Sequence, residues 1–221
     1  MKDPVVVSWS GGKDSALALH ELLSSQTHEV AGLLTTVTAD HDRISMHGVR
    51  RSLLEQQARA LALPLTIAEI PAGASNQEYA ASMGAALRGL CDQGIRTIAF
   101  GDLFLAEIRR YREQMLEPLG MRAIFPLWGR DTAALAREIL ASGVRATLTC
   151  VDPRALPAHL AGRAYDESLL AELPAHVDPC GERGEFHTFV HDGPIFARPV
   201  PVRAGEVVER GGFVFADLLP G

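Results

Sequence analysis

The chain has 221 residues, with 47% hydrophobic and 22% charged residues, which excludes general disorder. Lys plus Arg is 21 and Asp plus Glu is 27, a net charge of −6, so the composition argues against a broad basic surface for nucleic acid. Apolar runs fall short of a membrane span or a signal peptide, and Cys91, Cys150 and Cys180 are too dispersed for a disulfide framework or a zinc knuckle, so a soluble cytoplasmic protein is expected.

In chain order, residues 5–9 form a β-branched run expected to be a buried strand. Residues 14–23 carry apolar side chains at helical spacing, and residues 30–37 read as a second strand. A helix over 49–61 is stopped by Pro64, and a third strand follows at 65–70. Helix 77–91 is closed by Gly94, strand 97–100 ends at Gly101-Asp102, and helix 107–119 is capped by Gly120 before a strand at 122–127.

This alternation predicts an α/β fold: a parallel sheet with helices on both faces. Ligands of such sheets bind beyond the carboxyl ends of the strands, where strand order reverses. From Trp128 the rhythm loosens into a helix at 132–140, a strand at 146–151, a short helix at 166–173, and strand-like runs at 186–190, 195–202 and 212–215. The expected division is an α/β nucleotide-binding domain over 1–127 and a small α+β C-terminal unit over 128–221, the two sharing an extensive interface.

Ser10-Gly11-Gly12-Lys13-Asp14-Ser15 follows the first strand and opens the first helix. Two glycines allow a tight turn, the helix N-terminus and Lys13 supply positive charge, and Ser10 and Ser15 supply hydroxyls; together these describe a phosphate cradle. The spacing is not that of a Walker A loop, which needs Gly at Val7 and Ser or Thr at Asp14, nor that of GxGxxG, which needs Gly at Ser15. Asp14 reads equally as a Mg²⁺ ligand and as a helix cap.

Other candidates lie at predicted strand ends or in the tail. Asp102 is placed to meet ligand or metal, or to cap the next helix. His47, after the second strand, reads as a nucleotide contact or a surface histidine. Glu182 and Glu185, three apart in a glycine-flanked loop, suit an ammonium grip or a base, or form a solvated acidic turn. His187 and His191 have HxxxH spacing, but on a strand they lie ~13 Å apart, which disfavours a metal pair.

The SGGKDS loop resembles the PP-loop of the N-type ATP pyrophosphatases, α/β enzymes that split ATP between its α- and β-phosphates. Gly101-Asp102, Pro126-Leu127-Trp128, the run 178–190, Asp192-Gly193-Pro194-Ile195-Phe196, Met46-His47-Gly48 and Gln56-Gln57-Ala58 are together similar to the diphthine–ammonia ligase family and its uncharacterised bacterial relatives. The resemblance implies a HUP-like fold of the adenine nucleotide α-hydrolase type. It also implies an ATP-dependent ligase that adenylates a protein-borne or small-molecule carboxylate and converts it to an amide with ammonia, releasing AMP and pyrophosphate. ATP and Mg²⁺ are the implied cofactors, with Ser10 to Ser15, His47, Gly101 and Asp102 on the nucleotide and Asp14 and Asp102 on the metal. Lys13, Asp14, Glu182 and Glu185 become the catalytic set. Arg183 stands where the family pattern tends to have Gly, and its guanidinium suits an anionic group. The rivals are a nucleotide-binding protein without turnover and an adenylating tRNA-modifying enzyme; a homo-oligomer is left open.

Overall fold

The structure is a computed structural model in which residues 2–44 and 48–221 are described. Strands β1 (Pro4–Ser8), β2 (Glu29–Thr38), β4 (Leu65–Ile70), β5 (Thr97–Ala99) and β6 (Arg122–Ile124) pair in parallel in the order β4-β2-β1-β5-β6. The two-residue strand β3 (Arg43–Ile44) lies antiparallel along the end of β2. Alternation along β1 sets the two faces. Val5 and Val7 pack with Leu17 and Leu19 of α1 (Lys13–Ser25) and with Leu53 and Leu54 of α2 (Arg51–Leu61). Val6 packs on the other face with Leu87 of α3 (Asn76–Asp92) and Leu116 of α4 (Ala106–Leu116). Helices therefore cover both faces, as the alternation predicts.

From β1 the chain winds outward through β2 and β4, and the return through β5 and β6 fills the other side. The order reverses between β1 and β5. Helix α1 leaves toward one face and α4 toward the other, so a crevice opens at the carboxyl ends of these two strands.

The remaining chain adds α5 (Thr132–Ala141), β7 (Arg145–Val151), α6 (Glu167–Glu172), β8 (Phe186–Asp192), β9 (Val202–Arg210) and β10 (Phe213–Pro220). These strands form an antiparallel sheet ordered β8-β7-β10-β9. A continuous apolar core joins the two sheets, from Val5 and Trp9 through Leu148 to Phe189 and Val214.

Two expected strands are corrected. β6 stops at Ile124 because Pro126 has no N–H to donate, and residues 125–129 turn instead. Residues 195–201 contain Pro199 and Pro201 and are not a strand; the ladder starts at Val202. Strand β9, passed over in the sequence, is an edge strand exposed along most of its length, so it lacks the in–out alternation of a half-buried strand. Among the described residues no helix is long and apolar enough to cross a membrane.

Candidate active site

The loop after β1 is wedged between α2 and β8. Gly11 has φ +75°, and a Cβ there would lie 2.8 Å from Gln57 Oε1, so only glycine fits without displacement. Its carbonyl accepts from Val190 N–H at 2.8 Å and from Gln57 Nε2 at 3.0 Å. Gln57 is fully buried and satisfied: Oε1 accepts from Trp9 Nε1–H at 2.8 Å, and Nε2 also donates to Val190 O at 2.6 Å. One amide thus joins the loop, α2 and the edge of the second sheet.

Lys13 lines the cleft and is buried in its wall. It is 2% exposed. Its ammonium donates to Asp14 Oδ2 at 2.9 Å and to the carbonyl of Cys180, and stands over the rings of Tyr165 and Phe186. Its backbone N–H donates to Thr188 Oγ1 at 3.1 Å. Burial is the largest influence and works to lower the lysine pKa, but the charge and hydrogen bond of Asp14, with the Cys180 and Glu182 groups, together outweigh it and the pKa is raised. Lys13 is therefore a fixed positive charge beneath the cleft and a latch to the C-terminal unit. Ser10 and Ser15, their hydroxyls 3.2 Å apart, line the cleft together with Ser8 and Thr188.

Gly101, at the end of the β5 strand, presses on the first turn of α1. A Cβ there would be 2.9 Å from the Asp14 carbonyl carbon and 3.0 Å from Ser15 N. This contact brings Asp102 to the loop. Asp102 Oδ2 lies 3.7 Å from Arg112 Nε, and burial raises its carboxyl against the opposing Arg112 charge.

Glu182 completes the wall. Its Oε1 accepts from Leu103 N–H at 2.7 Å. Burial first, and then the Asp14 and Asp102 charges, push its carboxyl up to about 7. The structure separates Glu185 from this group. Glu185 is buried, accepts from Asp178 N–H at 3.1 Å and Arg183 N–H at 2.9 Å, and braces the 178–185 turn outside the cleft lining. His47 lies outside the described residues. His187 lines the cleft, and burial holds it down at about 4, hence neutral near pH 7.

Ser10, Ser15, Lys13, Asp14, Gly101, Asp102 and Glu182 thus surround one cleft of about 490 Å³. A second hollow of about 260 Å³ adjoins it over β1 and β2, lined by Thr35, Thr36, Tyr79 and Met83 among others. Thr35 Oγ1 is buried there without a hydrogen-bond partner. Asp14 Oδ1 is likewise buried and without a partner. Among the described residues no three His, Cys, Asp or Glu side chains converge as a metal set. One or two carboxylates completed by phosphate oxygens is the pattern suited to Mg²⁺, and the unpartnered Asp14 oxygen fits it.

Sequence reasoning missed Thr188, Thr35 and Arg112. Thr188 lies within the 178–190 run, but nothing in the sequence shows that β8 docks on the loop. Arg112 belongs to a helix with Arg109 and Arg110, and only the fold distinguishes it.

Fold and cleft define an α/β protein with a polar cleft at the switch point of its sheet. Residues 1–123 match the diphthamide synthase N-terminal domain and residues 131–215 the diphthamide synthase C-terminal domain. The chain belongs to the diphthamide synthase family. It is 28% identical to a diphthine–ammonia ligase of Danio rerio, over 95% of this chain and 90% of the relative. It is 27% identical to one of Homo sapiens, over 95% and 86%. With the protein of the same name from Schizosaccharomyces pombe it is 26% identical, over 91% of this chain but 36% of that longer protein.

Proposed function

We propose that the chain is an ATP-dependent ligase that joins ammonia to a carboxylate and releases AMP and pyrophosphate. The observation that carries this reading is the meeting of the SGGKDS loop, Gly101-Asp102 and Glu182 around one cleft at the β1/β5 reversal, in a chain similar over most of its length to diphthine–ammonia ligases.

The terminal phosphates of ATP face Ser10, Ser15 and the first turn of α1, above the buried Lys13 charge. The adenosine enters the smaller hollow, where Tyr79 and Met83 supply apolar contact and Thr35 a hydroxyl. A carboxylate oxygen of the acceptor attacks the α-phosphorus, and the bond to the bridging oxygen breaks as pyrophosphate leaves with its electron pair. Ammonia then attacks the acyl carbon, the bond to the AMP oxygen breaks and AMP departs, and the nitrogen sheds a proton to solvent. Glu182, poised near neutrality, takes the earlier proton that converts ammonium to ammonia. Asp14 and Asp102 would hold Mg²⁺, which supplies charge neutralisation at the phosphates. Glu185 acts at one remove, by holding the turn that carries Glu182.

The test is ³¹P NMR of ATP incubated with the protein, ammonium chloride and a diphthine-bearing protein. AMP and pyrophosphate in equal amounts are expected. ADP with orthophosphate contradicts the reading.

A further inference from the structure

Two hollows of the candidate site share a wall. The larger holds the phosphate loop, and the smaller lies over β1 and β2. Ser8, Ser10, Arg112 and His187 line both. Of these four, Arg112 carries the positive charge, since burial keeps His187 neutral.

Arg112 is also held in a way its neighbours on α4 are not. Its guanidinium lies over the Phe100 ring at 5.1 Å from the centroid. Asp102 stands beside it, with Oδ2 3.7 Å from Nε, beyond hydrogen-bond length. The Nε is buried and ion-paired with Asp102 without a hydrogen bond of its own, so its hydrogen-bonding capacity is left for a ligand. Arg109, by contrast, covers Phe125 and Trp128 and pairs with Glu113 at 2.9 Å.

We infer that Arg112 contacts the α-phosphate of the bound nucleotide and stabilises the charge that develops there when the acceptor oxygen attacks. The inference rests on the ATP reading above. With the terminal phosphates at Ser10 and Ser15 and adenosine over β1 and β2, the α-phosphate falls at the junction where Arg112 is exposed to both hollows. An arginine suits this place because its planar fork matches phosphate oxygens and stays charged throughout the reaction. Phe100 and Asp102 fix the side chain beforehand, so little reorganisation accompanies the step. Arg112 transfers no proton. The α-phosphorus gains a bond to the acceptor oxygen and loses the one to the pyrophosphate oxygen.

Calorimetric titration of AMP and of adenosine into the wild type, Arg112→Met, Arg112→Gln and Arg112→Lys tests this, with circular dichroism melting as the check on folding. Arg112→Met and Arg112→Gln should each weaken AMP by about 10- to 100-fold, the worth of a charge-assisted pair, and leave adenosine within about twofold. Arg112→Lys, which keeps charge and fold but loses the fork, should fall between them and the wild type. AMP affinity unchanged in a folded variant, or adenosine weakened by the same factor as AMP, overturns the inference while leaving the ATP reading intact. A wild type that binds neither AMP nor ATP overturns both.

Discussion

The ammonium of Lys13 donates to the backbone carbonyl of Cys180, 167 residues further along the chain. The residue that the loop motif marks for phosphate also holds the C-terminal unit against the N-terminal sheet. The geometry of the loop is thereby tied to the packing of the C-terminal unit.

Lys13→Met removes the partner of the half-buried Asp14 and leaves the Cys180 carbonyl unsatisfied. Losing a charge-assisted hydrogen bond of this kind costs about 1–3 kcal/mol. Urea unfolding should show that loss, and Lys13→Met combined with Asp14→Asn should lose less than the sum of the two single changes. A Lys13→Met protein as stable as the wild type contradicts the latch.

Gly101→Ala places a methyl against the backbone of Asp14 and Ser15, which cannot rotate away as a side chain can. Overpacking of this kind costs about 1–3 kcal/mol. Because the displaced element is the first turn of α1, ATP binding should weaken by about tenfold or more. Calorimetry on the folded variant reads this; unaltered affinity shows that the β5–α1 contact does not shape the site.

Glu182 has its carboxyl raised from 4.5 to about 7, chiefly by burial. The ionised form is the disfavoured one in the fold, so stability declines as pH climbs from about 4.5 to about 7 and is level above that. Glu182→Gln should remove that decline in a pH series of thermal melts. AMP release with ammonium present should rise through pH 7 in the wild type and lose that limb in Glu182→Gln. A limb that survives the substitution assigns the base elsewhere.

Asp217 on β10 joins the two halves through Arg43 and Arg50, with Oδ1 2.8 Å from Arg43 Nη1. Burial opposes ionisation, but hydrogen bonds from Arg50 and Arg43 prevail and hold the carboxyl at about 2. A depressed carboxyl stabilises the fold above its unfolded value of 3.8, and that contribution is lost as pH falls toward about 2. Asp217→Asn should cost about 1 kcal/mol at neutral pH, discounted because the arginines are partly in solvent. Its acid unfolding curve should be shallower between pH 4 and 2. A curve that overlays the wild type contradicts the assignment.

The first sheet is legible in the sequence because β1, β2 and β4 are short β-branched runs separated by periodic helices. Gly11 and Gly101 mark the close approaches that build the crevice. The second sheet is less legible. β9 has no buried face to impose alternation, and the prolines at 199 and 201 sit in an apolar run that resembles a strand. At the site, Glu182 and Glu185 look equivalent along the chain, yet one lines the cleft and the other takes two backbone N–H groups of its own turn. Burial makes that distinction, and three-residue spacing does not encode it. The inward turn of Lys13 depends on Cys180, Tyr165 and Phe186 arriving from the far end of the chain, so no local pattern reports it.

The most direct measurement is a crystal structure with α,β-methylene-ATP, whose α–β linkage cannot be cleaved. The account predicts the terminal phosphates against Ser10 and Ser15, the α-phosphate beside Arg112 and the purine over β1 and β2 near Thr35. Nucleotide bound with its phosphates away from the SGGKDS loop would contradict it.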